Sequence, residues 1–256
     1  MRIQLLSDLH LETEVFTPAP APEAELLVLA GDIDTSWAAL QRFAGWPVPV
    51  LFVPGNHEFD GREIDATRAE LALLSQRLGF TLLDDAECLL TDARGRRLRF
   101  LGSTRWSDFD LFGERERARA LRAGSYFQRV MNAQWRGRPF DAEAVRELSL
   151  QSRAWLAEAL ARRVEGVDAT VVITHFAPSL RSADPRYGRQ PGTASFCNND
   201  EDLLPWADVW LHGHLHCRHD YRFAHATGET RVICQARGLP RKGEADGHDP
   251  LWTFEV

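Results

Sequence analysis

The sequence is poor in lysine, in cysteine and in long apolar runs, and each shortage narrows what the chain can be. Lys242 is its only lysine, so arginine supplies nearly all of the 30 basic residues, set against 37 acidic ones. The net charge of −7 leaves no basic excess to neutralise a phosphate backbone. General nucleic-acid binding is therefore not favoured, although a local basic groove would be hidden in that average. The four cysteines, Cys88, Cys197, Cys217 and Cys234, are far apart and lack CxxC spacing. They read as free thiols in a reducing cytosol rather than a disulfide framework. No stretch approaches the roughly 18 uninterrupted apolar residues of a membrane span. The opening MRIQLLSDLH has too short an apolar run for a signal peptide. A cytoplasmic protein with no membrane partner is the expectation. At 256 residues, 44% apolar and 26% charged, the chain can bury a large core in one α/β domain.

What is present begins with three short apolar runs that each end in polar residues. IQLLSDLH leads to Asp8 and His10, ELLVLAGDID to Asp32 and Asp34, and VPVLFVPGNHE to Asn56, His57 and Glu58. Helical patterns lie between and after them, at Trp37–Ala44 and Glu63–Leu78. Strands that are apolar throughout, alternating with helices, suggest a buried parallel sheet. Ligands of such sheets bind beyond the carboxyl ends of the strands, where all three polar clusters fall.

The middle of the chain changes character. TLLDDAECLLTDARGRRLRFLGS reads as a hairpin turning at Ala93–Gly95. Asp108–Trp135 is rich in Arg and Glu and helical in pattern. It is either a solvated helix or a lid, a cap-like segment over residues 106–138 carrying Trp106, Tyr126 or an arginine to a substrate. DAEAVRELSLQSRAWLAEALARR is a further amphipathic helix. Beyond it, ATVVITHFAPS ends in His175 and ADVWLHGHLH ends in His212, His214 and His216. YRFAHA, TRVICQARG and LWTFEV are expected as later, antiparallel strands. Between them SADPRYGRQPGTASFCNND is a long polar loop of the sort that carries function.

Each polar cluster alone has an ordinary explanation. Asp32 after Gly31 could cap a helix, Asn56 after Gly55 could make a turn, and His175 could be a hydrogen-bonded surface ring. Together, five strand ends deliver carboxylate, carboxamide and imidazole to one edge, a donor set that suits Mn, Fe or Zn without thiolate. The residues leave open whether the ligands in HGHLH are His212 and His214 or His214 and His216.

The ordered series Asp8-x-His10, Gly31-Asp32, Gly55-Asn56-His57-Glu58, His175 and Gly213-His214-x-His216 resembles the calcineurin-like metallophosphoesterase superfamily. The resemblance spans Asp8 to His216. It implies an α/β fold, a four-layer α/β/β/α sandwich of two mixed sheets, with a dinuclear metal site at the strand C-terminal ends. It also implies two divalent metal ions: Asp8, His10 and His216 on the first, Asn56, His175 and His214 on the second, and Asp32 bridging. Manganese is the expected metal, with iron, zinc or nickel as alternatives. By the same resemblance the pair in HGHLH is His214 and His216, with His212 structural. Cys217 and His219 are left as bystanders.

The implied chemistry is phosphoester hydrolysis by a hydroxide activated between the metals, with His57 as general acid to the leaving oxygen. Glu58 is expected to be structural. Where Ser/Thr protein phosphatases carry GDxVDRG this chain has GDIDTS, and where the acylglucosamine diphosphate hydrolases carry GNRD it has GNHE. The remaining likeness is to small bacterial phosphoesterases of unassigned substrate, which extends to VICQARGLP. A small phosphoester, preferably a diester, is the expected substrate. A monoester of a small metabolite, a nuclease or a cyclic-nucleotide phosphodiesterase are the alternatives, and a non-catalytic metal-binding scaffold is the least favoured.

Overall fold

The computed structural model describes residues 1–256, the side chain of Gln128 apart. In chain order the strands are β1 (Arg2–Leu6), β2 (Leu26–Ala30), β3 (Val50–Val53), β4 (Phe80–Leu82), β5 (Ala86–Thr91), β6 (Arg97–Ser103), β7 (Gln134–Trp135), β8 (Arg138–Pro139), β9 (Ala169–Thr174), β10 (Val209–His212), β11 (Arg218–His225), β12 (Gly228–Gln235) and β13 (Thr253–Glu255). The α-helices are α1 (Ile64–Leu78), α2 (Glu114–Met131) and α3 (Ala142–Ala161).

The strands form two mixed sheets. One has the order β13-β1-β2-β3-β4 and the other β11-β12-β10-β9-β6-β5, with β7 and β8 a separate short ribbon. The alternation of side chains along β2 explains the layering. Leu26, Val28 and Ala30 face the second sheet, in a core with Leu51, Phe100, Ile173, Leu211 and Ile233. Leu27 and Leu29 face the other way, toward a core that includes Ile64, Leu71 and Leu78 of α1. On the far face of the second sheet, Val172, Trp210 and Val232 pack with Leu156 and Leu160 of α3. The result is the α/β/β/α sandwich. The apolar strands are buried on both faces because a second sheet covers one of them, not because helices cover both.

Local signals account for the helices. The Glu63 side chain accepts the Ala66 N–H at 2.8 Å to start α1, and Gly79 at φ 78° ends it in the left-handed region. Asp141 caps α3 in the same way, accepting from Ala144 N–H at 2.9 Å. Three elements depart from expectation. The segment near Trp37–Ala44 is a short 3-10 helix, Ala38–Phe43. The cap-like segment is helical only over Glu114–Met131, because the residues before it run as buried loop and those after it form β7 and β8. Of the three late strands, β11 pairs antiparallel with β12 and β13 antiparallel with β1, but β12 runs parallel to β10. None of the helices, as far as the chain is described, is long and apolar enough to cross a membrane.

Candidate metal centre

The candidate ligands come from strand ends in both sheets. Asp8, Asp32 and Asn56 follow β1, β2 and β3 of the first sheet, and His175 and His214 follow β9 and β10 of the second. The site therefore straddles the top of the sandwich rather than one sheet edge. Two groups form. One potential ligand atom from each of Asp8, His10 and His216 lies within 4.8 Å of the others, and the same holds for Asp32, His175 and His214.

Backbone strain marks the same residues. Asp8, His10, Asp32, His214 and His216 have φ of 53°, 48°, 55°, 69° and 51°, a region that costs an ordinary residue on the order of 1–2 kcal/mol. Chain packing fixes how close the loops come. A Cβ at Gly55 would meet the Asp32 carboxylate, with His175 Cε1 at 2.7 Å, and one at Gly213 would meet Asp8 Oδ2 at 2.6 Å. Any side chain at either position would push a candidate ligand aside.

The ring nitrogens are directed by partners outside the motifs. His175 Nδ1 donates to the Ala30 carbonyl at 2.8 Å, which leaves its Nε2 lone pair facing Asp32 Oδ2 at 3.2 Å. His214 Nε2 donates to the Ser195 carbonyl at 3.2 Å, leaving the Nδ1 lone pair free for a metal. His10 Nδ1 lies 3.4 Å from Glu12 Oε1, and His216 Nδ1 lies 2.7 Å from Glu244 Oε2. The Nε2 atoms of these two rings then confront each other at 3.0 Å. Two lone pairs so placed are mutually repulsive unless a cation shares them, and a carboxylate on the other ring nitrogen is the usual partner of a metal-ligating imidazole. These tautomers follow from the hydrogen-bond network.

The buried atoms that make no hydrogen bond among the described residues include Asp32 Oδ2, Asn56 Oδ1 and His175 Nε2. Buried polar atoms are nearly always satisfied, so Asp32 Oδ2 and His175 Nε2, unsatisfied and 3.2 Å apart, fit a cation. Both oxygens of Asp8 meanwhile accept the His214 N–H, at 2.9 and 3.1 Å, tying the two groups together.

Glu58 is structural in a specific way. Its buried carboxylate accepts from the N–H groups of Asp32 (2.9 Å), Ile33 (2.7 Å), Asp34 (3.3 Å) and Gly55 (2.6 Å), fastening the β2 loop to the β3 loop. His57, beside Asn56, points Nε2 toward Asp32 Oδ2 at 4.0 Å, and its Nδ1 lies 2.6 Å from Asp60 Oδ2. Burial alone would lower the His57 pKa, but Asp32 and Asp60 raise it to about 10. Asp34 does not support His57. It accepts from Ser36 and from the Ala39 N–H at the start of the 3-10 helix.

Sequence reasoning missed Glu12, Asp60, Ser195 and Glu244, which lie in loops where an acid or serine carries no signal. His212 donates from Nδ1 to the Gly213 carbonyl and its Nε2 meets His219 Nε2 at 2.8 Å, so the two rings pair behind the HGHLH loop. The site opens into a cavity of about 920 Å³ whose wall includes α2 and the loop around Tyr187–Phe196.

Residues 1–218 match the family model described as calcineurin-like phosphoesterase, and the chain belongs to that family of metal-dependent phosphoesterases. None of the curated protein sequences matches it. Among solved structures it is similar to the phosphopantetheinyl hydrolase of Mycobacterium tuberculosis. The two are 17% identical, with 99% of this chain and 95% of that chain aligned at a TM-score of 0.73, which is a likeness of fold.

Proposed function

We propose that the chain hydrolyses phosphodiesters at a centre of two manganese ions, working as one catalytic unit over 1–256 with α2 as its cap. Asp8, His10 and His216 hold the first ion, Asn56, His175 and His214 the second, and Asp32 joins them. The observation that carries this reading is the pair of ligand groups, Asp8 with His10 and His216 and Asp32 with His175 and His214, each with its potential ligand atoms within 4.8 Å of one another. Oxygen and imidazole donors without thiolate suit manganese. When bound, such a pair supplies an activated water and neutralises the phosphoryl oxygens.

The chain's own residues do the rest. Asp60 fixes the His57 ring, which lines the cavity, so that a proton can pass from it to the leaving oxygen. Glu58 holds the loops so that ligand positions do not drift. The breadth of the cavity supports a diester, since a small monoester would leave most of it to water. Four free thiols support a cytoplasmic setting.

The test compares a nitrophenyl phosphodiester with the matching monoester, using metal-stripped chain reloaded with manganese. Faster turnover of the diester, as kcat/KM, is the expected result. Preference for the monoester would make the chain a phosphatase of small metabolites, and no turnover of either with both metals bound would leave the scaffold reading.

A further inference from the structure

The cavity wall carries an aromatic path that starts at the candidate metal centre. His214 lies 5.0 Å from Phe196, Phe196 lies 5.0 Å from Phe127, and Phe127 lies 5.5 Å from Tyr126, ring centre to ring centre. The path ends in the open, with Tyr126 61% exposed and Val130, one turn further along α2, 62% exposed. Rings left bare along one wall of a cavity are expected where a flat or apolar group is to be covered.

The same cavity also carries basic residues. Arg122 stands four residues before Tyr126 on the same face of α2, and Arg241 and Lys242 reach the same cavity from the loop after β12. All three are exposed, and among the described residues none forms an ion pair. The carboxylates that share this lining are already engaged. Asp184 pairs with Arg186 at 2.6 Å, Glu244 with His216 at 2.7 Å, and Glu12 with His10 at 3.4 Å. In a chain of net charge −7, three cations without an ion-pair partner, from two distant segments, thus face one cavity.

We infer that the mouth of the cavity is a second anion site, and that the substrate is a phosphodiester whose one ester group carries a flat or apolar body and, beyond it, a further phosphate. The body lies on Phe196, Phe127 and Tyr126, and the remote phosphate meets Arg122, Arg241 and Lys242. This rests on the two-metal reading for where the scissile phosphate sits.

Two probes differing only in the remote anion test it. They are the nitrophenyl ester of thymidine 5′-phosphate and the same ester carrying a 3′-phosphate. The expected result is a kcat/KM about tenfold higher for the second, mostly through KM, as one charge-assisted contact supplies. In the triple variant Arg122→Gln, Arg241→Gln, Lys242→Gln the ratio falls to about one, and in the unaltered chain it falls as salt is raised. Equal rates on both esters, or a preference that survives the triple variant, would overturn the inference. If neither ester turns over, the catalytic reading fails and the anion site is read by calorimetry on the manganese-loaded chain. Thymidine 3′,5′-bisphosphate is expected to bind about tenfold tighter than thymidine 5′-phosphate, with the difference lost in the triple variant. Equal affinities would overturn the site whatever the outcome for catalysis.

Discussion

Asp60 Oδ2 lies 2.6 Å from Nδ1 of His57, so the histidine beside the candidate metal ligand Asn56 is held by an acid three residues further along the same loop. The ring's other nitrogen lies 4.0 Å from Asp32 Oδ2, in a residue that lines the cavity. This is the support that GDIDTS does not provide, since Asp34 is occupied with the 3-10 helix start.

His57→Ala is therefore expected to keep both metals and to lose about 10²–10⁴-fold in turnover on esters with poor leaving groups, with a smaller loss on nitrophenyl esters. Asp60→Asn should show the same dependence on leaving group with a loss of about tenfold or more. A series of aryl phosphodiesters of graded leaving-group pKa measures both. A loss equal across the series would remove His57 from the acid role.

Glu58→Gln replaces two of four acceptor positions by an amide donor that faces backbone N–H groups. The expected cost is about 3 kcal/mol in urea denaturation of the metal-free chain, as for a buried charged acceptor left half satisfied. Stability within about 0.5 kcal/mol of the unaltered chain would show that the two loops hold together without it.

His219 carries part of the pH dependence, beside His212 and His248, which burial shifts the same way. Burial pushes the His219 pKa down to about 4 from 6.5. Below pH 6.5 the unfolded chain takes up this proton and the folded chain does not. The neutral ring's contribution is thus present above that pH and is lost as pH falls toward 4. Between about pH 7 and about pH 5 the loss is about 2 kcal/mol. His219→Gln should lose less stability over that interval, measured by denaturation without metal. Parallel pH profiles for variant and unaltered chain would contradict it.

Much of the site was legible because a polar residue that interrupts an apolar strand at its carboxyl end has few places to go. Asp8, Asp32, Asn56, His175 and His214 all stand at such ends. Helices α1 and α3 were legible from their periodicity and the acids that cap them. The two-sheet arrangement was not readable from residues alone. An apolar run such as LLVLA reports burial on both faces but not whether a helix or a second sheet lies beyond. Glu12, Asp60 and Glu244 were illegible for another reason. Each is an ordinary acid in a polar loop, and only the tertiary fold turns it toward a ring nitrogen. The contact between His212 and His219 likewise depends on β11, β12 and β10 lying side by side.

The measurement that tests the account most directly is metal stoichiometry. Metal-stripped chain would be dialysed against manganese and its bound metal counted by mass spectrometry, beside Asp32→Asn treated identically. Two ions per chain for the unaltered protein and fewer than one for the variant is the expected result if Asp32 serves both positions as proposed. A single ion in the unaltered chain, or two retained by the variant, would contradict a paired centre joined at Asp32.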